Sequence, residues 1–156
     1  MSNRGVEKQD STTVGIQKLR SSAKIPTYGS VGAAGADLYA CLEEAIKIPA
    51  GQTVLVPTGI AIQLPEYTVG LIYARSGLAT KANLAPANKV GVIDRDYRGE
   101  IFVPLHNHGQ TQQIIERHDR IAQLVVTPYI QAEFLELESL DETIRGIGGF
   151  GSTGKK

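Results

Sequence analysis

Apolar residues along this chain fall into short runs separated by Gly, Pro, Asn and charged residues, with no sustained helical period. The first runs are Val14–Ile16, Ala36–Ala40, Ile46–Ile48, Thr53–Val56, Ile60–Leu64 and Val69–Tyr73. Val90–Ile93, Ile101–Leu105, Gln113–Glu116, Ile121–Val126 and Phe134–Leu137 follow. Val and Ile dominate them, and Pro26, Pro49, Pro57, Pro65, Pro86, Pro104 and Pro128 stand at or near their ends. Branched side chains fit a pleated surface, and proline cannot donate to a ladder. Many short strands at close spacing predict an all-β sandwich, jelly roll or barrel. One short helix is predicted over Ser76–Asn83, capped by Ser76, favoured by Ala79 and Ala82 and stopped by Pro86. A tight β-hairpin is predicted over 91–101, GVIDRDYRGEI, because apolar arms flank a centre of Asp, Arg, Tyr and Gly.

The polar positions divide the chain into three. Residues 1–13 have low hydrophobicity and no period, which predicts a disordered N-terminal tail. Residues 14–144 read as one β domain, long enough to bury a full core. Residues 145–156 carry glycines at 146, 148, 149, 151 and 154 and read as a flexible arm, since each glycine loses much backbone entropy on fixing. Sixteen Lys and Arg balance 16 Asp and Glu, so no broad field exists to hold nucleic acid or an anionic membrane. Cys41 is the single cysteine, which excludes an internal disulfide and a thiolate metal cluster and favours a reducing compartment. No stretch approaches the roughly 20 apolar residues of a membrane helix. MSNRGVEKQD is too polar for a secretory signal, and Glu7 and Asp10 argue against an organelle signal. The expectation is a soluble intracellular protein, in cytoplasm or nucleus.

Candidate chemistry lies in the punctuation between runs. In the 91–101 segment, Asp94 beside exposed backbone groups suits a water and a flat polar ligand, although alone it also fits a charged turn. Arg75-Ser76-Gly77 opens the predicted helix, where N–H groups, a hydroxyl and a guanidinium suit an anion. Asp37, among small and apolar residues, either helps hold a cation or satisfies a turn. Arg120 and Gln123 interrupt the apolar RIAQLVV and need partners if they face inward. The arm RGIGGFGSTGKK imitates a phosphate loop, but Lys156 stands where Ser or Thr belongs and no helix follows. Its Arg145, Ser152, Thr153 and glycine N–H groups nevertheless suit a polyphosphate, and Phe150 suits stacking on a base. His106 and His108, in HNHG, lack further ligands nearby and read as a hairpin turn, and His118 and Asp119 likewise read as turn residues. No arrangement for acyl-enzyme or zinc hydrolysis is present.

Five separated motifs stand in order: AGADLYA (34–40), ARSGLA (74–79), GVIDRDYRGEI (91–101), RIAQLVV (120–126) and RGIGGFGSTG (145–154). Together, over residues 14 to 154, they resemble the trimeric dUTP diphosphatase (dUTPase) family. The resemblance implies a distorted jelly-roll, β-clip barrel with one short helix, assembled as a homotrimer with three active sites between subunits. It implies Mg²⁺-dependent hydrolysis of dUTP to dUMP and pyrophosphate, which removes dUTP and supplies dUMP for dTMP synthesis. Asp94 would activate water for attack on the α-phosphorus, with Gln123 and Arg75 assisting catalysis. Gly91 and backbone groups near Asn88, Val92, Ile93 and Phe102 would line uracil, and Tyr97 would pack under the deoxyribose and exclude a 2′-hydroxyl. Arg75, Ser76, Gly77 and Gln123 of a neighbouring subunit would hold the phosphates, and Asp37 would touch Mg²⁺ through water. The third subunit's arm would close the site, with Phe150 over uracil and Arg145, Gly151, Ser152 and Thr153 on the phosphates.

Two rivals share the fold: a dCTP deaminase-like enzyme and a nucleotide-sensing trimer. The deaminase resemblance calls for a catalytic Glu on the strand after the hairpin, and Ile101–Leu105 carries no carboxylate.

Overall fold

The computed structural model describes residues 12–149. Twelve strands and one helix follow in the order β1 (Gly15–Lys18), β2 (Thr27–Tyr28), β3 (Ala36–Tyr39), β4 (Ile46–Ile48), β5 (Thr53–Pro57), β6 (Ile60–Gln63) and β7 (Thr68–Tyr73). Then come α1 (Ser76–Lys81), β8 (Leu84–Pro86), β9 (Gly91–Ile93), β10 (Phe102–Asn107), β11 (Gln113–Ile115) and β12 (Arg120–Pro128). The predicted all-β class holds, in a jelly-roll-like arrangement of antiparallel sheets. The largest sheet runs β2-β3-β12-β7-β9, beside β5-β10-β8 and the pairs β1-β6 and β11-β4.

Alternation builds the core. On β10, Val103, Leu105 and Asn107 point inward while the residues between them are partly exposed. Leu38, Ile48, Val56, Ile60, Ile101, Ile115 and Ile121 meet them there, each buried. Burying one such aliphatic side chain stabilises the fold by roughly 1.5–3 kcal/mol. A register shift between Arg120 and Ala122 lets both Ile121 and Ala122 face inward. Asn107, a fully buried polar residue in this core, has its amide satisfied. Its amide nitrogen donates to the Ile48 and Thr111 carbonyls at 2.9 and 2.8 Å, and its oxygen accepts from Gly109 N at 2.9 Å.

Several expectations need correction. The 91–101 hairpin does not form as a ladder: β9 pairs with β7, while β10 pairs with β5 and β8. The turn is real, with Tyr97 N donating to the Asp94 carbonyl at 3.1 Å, but its arms belong to different sheets. HNHG is no hairpin either, since β11 pairs with β4 and not with β10. The predicted strand at 134–137 is absent: Phe134, Leu135 and Leu137 are exposed and find no ladder partner among the described residues. The helix stops at Lys81, because Asn83 turns to φ 55° and its carbonyl accepts His108 N. Ser76 does not cap it. Arg75 holds the cap position without a side-chain bond, and Ser76 is already helical. Sequence reasoning also missed the short β2 and β8, the latter an edge strand that tolerates Pro86.

Candidate functional site

Ladder register gathers three of the five motifs. Gln123 of β12 lies opposite Asp37 of β3 on one side and Tyr73 of β7 on the other. Two residues beyond Tyr73, Arg75 begins the turn into α1. The result is a cleft of about 230 Å³ lined by Gly29, Ala33, Gly35, Asp37, Arg75, Ser76, Gly77, Arg120 and Gln123. Asp37 sits on a strand, correcting its reading as a turn residue. Its carboxylate takes Arg75 Nε at 2.7 Å and an Arg120 guanidinium nitrogen at 3.2 Å. Arg75 also donates to the Arg120 carbonyl at 3.2 Å. Two guanidiniums against one carboxylate leave this arginine cleft with a net positive charge, suited to an anion. Gln123 donates to the Ala74 carbonyl at 2.9 Å, and its amide packs so closely on Gly35 that a Cβ there would collide with it.

The 91–101 motif forms a second cleft. Because β9 and β10 diverge into different sheets, about 210 Å³ opens between them, lined by Val92, Ile93, Asp94, Tyr97, Glu100, Ile101 and Phe102. The Tyr97 hydroxyl donates to the Glu100 carbonyl at 2.9 Å, and its ring lies over Gly99 where any Cβ would strike the phenol. Asp94 is exposed, and its side chain makes no hydrogen bond or ion pair with the described residues. Asn88 lies just before β9, with its amide against Gly91. A third and wider cleft, about 630 Å³, begins on the far side of Asp94 and runs along Thr68, Val69 and Leu71 to Tyr129 and Gln131. Asp94 and Val92 line both.

The arginine cleft and the turn cleft share no residue. Asp94 and Tyr97 are thus brought together, as are Asp37, Arg75, Ser76, Gly77 and Gln123, but among the described residues nothing joins the two groups. Arg145 is exposed and donates to the Gly148 carbonyl at 2.8 Å, in neither cleft. Phe150, Gly151, Ser152 and Thr153 lie outside the described residues, as does most of the segment 1–13. Sequence reasoning flagged Arg120 as an interruption without placing it in the site, and it missed Glu100 and Arg20. Glu100 takes Arg20 at 3.0 Å across 80 residues of sequence, a pairing no local pattern signals.

The histidines lie elsewhere. His106 Nδ1 is 2.9 Å from the Thr53 hydroxyl, and the His106 and His108 rings meet edge-on at 4.4 Å. Desolvation, then the charges of His106 and Lys89, lowers the His108 pKa below its ordinary value. His118 Nε2 is held 2.9 Å from the Ser22 carbonyl, and Asp119 accepts Glu116 N, as turn residues do. Among the described residues no three His, Cys, Asp or Glu side chains converge to hold a metal ion, and no helix is long and apolar enough to cross a membrane.

Comparison with known proteins adds to this geometry. The dUTPase family model matches residues 21–154. A deoxyuridine 5′-triphosphate nucleotidohydrolase of Acinetobacter baumannii is 51% identical over 140 residues, covering 89% of this chain and 93% of the relative. Its counterpart from Desulfitobacterium hafniense is 54% identical over 132 residues, covering 84% and 87%. The solved structure of Staphylococcus bacteriophage 80alpha dUTPase with dUPNHPP superposes with a TM-score of 0.83 at 26% identity, covering 92% of this chain and 99% of that one.

Proposed function

The chain belongs to the dUTPase family and is a dUTP-hydrolysing enzyme, and from that premise we propose that it cleaves dUTP to dUMP and pyrophosphate with Asp94 as general base. The observation that carries this reading is the turn cleft. It offers a base-sized slot between the free edge of β9 and the start of β10, lined by the Tyr97 ring and by an Asp94 carboxylate that is unengaged among the described residues. Uracil presents an N3–H donor and an O4 acceptor, so fixed backbone groups of Val92, Ile93 and Phe102 reject cytosine by leaving a polar group unpaired. Tyr97 packs under the sugar. Asp94 takes a proton from water as the water oxygen bonds to the α-phosphorus. The bond from that phosphorus to the bridging oxygen breaks, and pyrophosphate leaves with the electron pair. The rest of the triphosphate extends past Asp94 into the wider cleft.

The phosphates need cationic groups that the turn cleft lacks. In this proposal the arginine cleft of a neighbouring subunit supplies Arg75, Ser76, Gly77 and Gln123, with Arg75 and Gln123 assisting the displacement. The separation of the two clefts within one chain supports a homotrimer with shared sites, and so does the exposed apolar segment containing Ile130, Phe134, Leu135 and Leu140. A third subunit's arm would complete the site through Arg145, Phe150, Gly151, Ser152 and Thr153. Asp37, a single carboxylate with acceptor capacity beyond its two arginine bonds, fits Mg²⁺ held through water on the substrate phosphates. When bound, that ion neutralises triphosphate charge.

Deamination of dCTP is the rival to test. A carboxylate does line the turn cleft, Glu100, but both its oxygens are committed, to Gly59 N and to Arg20. To turn onto a substrate it would have to give up both bonds. Each deoxynucleoside triphosphate is offered with Mg²⁺ and the products identified. The expected outcome is pyrophosphate from dUTP alone; ammonia from dCTP, or an inert dUTP, would defeat the proposal.

A further inference from the structure

We infer that Arg20 and Glu100 are positioning residues for sugar discrimination, holding the Tyr97 side of the turn cleft against the body of the domain. The inference rests on the proposed role of that cleft as nucleoside receptor. It starts from where the scaffold's grip on the 94–101 segment ends. Ile101 is pinned firmly: its carbonyl accepts both Thr58 N at 3.1 Å and the Thr58 hydroxyl at 2.7 Å, and its N–H donates to the Ile60 carbonyl at 2.9 Å. From Asp94 to Gly99 the hydrogen bonds made among the described residues stay within the segment, apart from the one the Tyr97 hydroxyl donates to the Glu100 carbonyl. The link outward is a loose Arg95–Glu66 ion pair at 3.8 Å. Glu100 lies between the pinned and the self-contained parts.

Its side chain is anchored at both oxygens. One accepts Gly59 N at 2.8 Å, and the other accepts Arg20 at 3.0 Å. A second nitrogen of the same guanidinium donates to the Cys41 carbonyl at 3.2 Å, and Cys41 N is bound to the Pro57 carbonyl at 2.8 Å. The carboxylate side chain is only 13% exposed, so these charge-assisted bonds form in a partly dry setting where they are stronger than on the open surface. The Glu100 main-chain carbonyl is also the acceptor for the Tyr97 hydroxyl. The chain of support therefore runs from Cys41 through Arg20 and the Glu100 carboxylate to the Glu100 peptide and the phenol.

Discrimination against a ribonucleotide by this ring is steric. It must deny space to one hydroxyl, and a pocket rejects an added hydroxyl only as well as its wall resists moving. If the Glu100 peptide loses its anchor, the phenol moves with it and the 2′-hydroxyl gains room. Arg20 touches neither cleft, so its contribution is to position the ring through Glu100.

The test compares kcat/KM for dUTP and for UTP in full-length Arg20→Met, Arg20→Lys, Glu100→Gln and Tyr97→Ala, with thermal melting of each. Arg20→Met should lower the dUTP/UTP ratio about tenfold, mainly through a lower KM for UTP, and Glu100→Gln should act likewise. Arg20→Lys keeps a cation toward Glu100 and should recover most of the ratio. Tyr97→Ala should lower the ratio at least as far. If Tyr97→Ala lowers it while Arg20→Met and Glu100→Gln leave it within about twofold of wild type, the positioning role is overturned whatever the melting shows. If Tyr97→Ala leaves the ratio unchanged, the nucleoside-receptor reading fails, and the inference with it.

Discussion

Gly35 shows how one missing side chain sets the geometry of the arginine cleft. A Cβ on this residue would fall on the Gln123 amide, so its absence leaves Gln123 free to donate to the Ala74 carbonyl and line the cleft. Gly35→Ala should displace that amide without disturbing the core, because the added methyl meets a flexible side-chain end. The expected result is a KM for dUTP raised about fivefold or more, the value of one lost hydrogen bond, and a lowered kcat if Gln123 assists the displacement, with melting nearly unchanged. A KM equal to wild type in steady-state assays would show that the place of Gln123 does not matter to substrate. At this scale the sequence was informative wherever a polar residue broke an apolar run. Asp37, Arg120 and Gln123 each did so, and they converge on one cleft. It was silent on Arg20 and Glu100, which are ordinary surface residues by local pattern and acquire a role only through a contact across 80 positions.

Elements were easier to recognise than to pair. Ten of the eleven apolar runs overlap a strand, because alternation and branched side chains are local properties. Of the ladders among the described residues, β2 with β3 alone joins strands adjacent in sequence, and partner choice depends on the whole fold. That is why the 91–101 hairpin was expected and a cleft was found. The segment carries hairpin composition, yet its arms pair with strands of two different sheets. Asn107 is the residue that holds two such crossings together, tying β10 to the end of β4 and to the turn before β11. Asn107→Ala would leave the Ile48 carbonyl and Gly109 N without their partner in a buried site. We expect a loss of about 3 kcal/mol in unfolding by denaturant at fixed protein concentration. A midpoint within experimental error of wild type would mean that water replaces the amide and that the crossings hold without it.

Over the whole molecule, the sequence motifs implied a site that a single chain leaves in two parts. Asp94 and Tyr97 line one cleft, Arg75 and Gln123 another, and among the described residues none lines both. If the active site forms where copies meet, the two halves can come from different chains, and that is testable by mixing. Asp94→Asn should lack the base but keep an intact arginine cleft, while Gln123→Ala should lack a phosphate contact but keep the base. Each alone should turn over dUTP very slowly. Unfolded and refolded together in equal amounts, they should form mixed trimers in which about one quarter of the sites combine a wild-type Asp94 with a neighbour's wild-type Gln123. Activity should therefore return to about a quarter of the wild-type level, and mixing without refolding should restore less if subunits exchange slowly. Were each site built within one chain, every site would carry one of the two defects and mixing would restore nothing. The same samples examined by light scattering should have three times the chain mass, so a failure to assemble can be told apart from a failure to share sites.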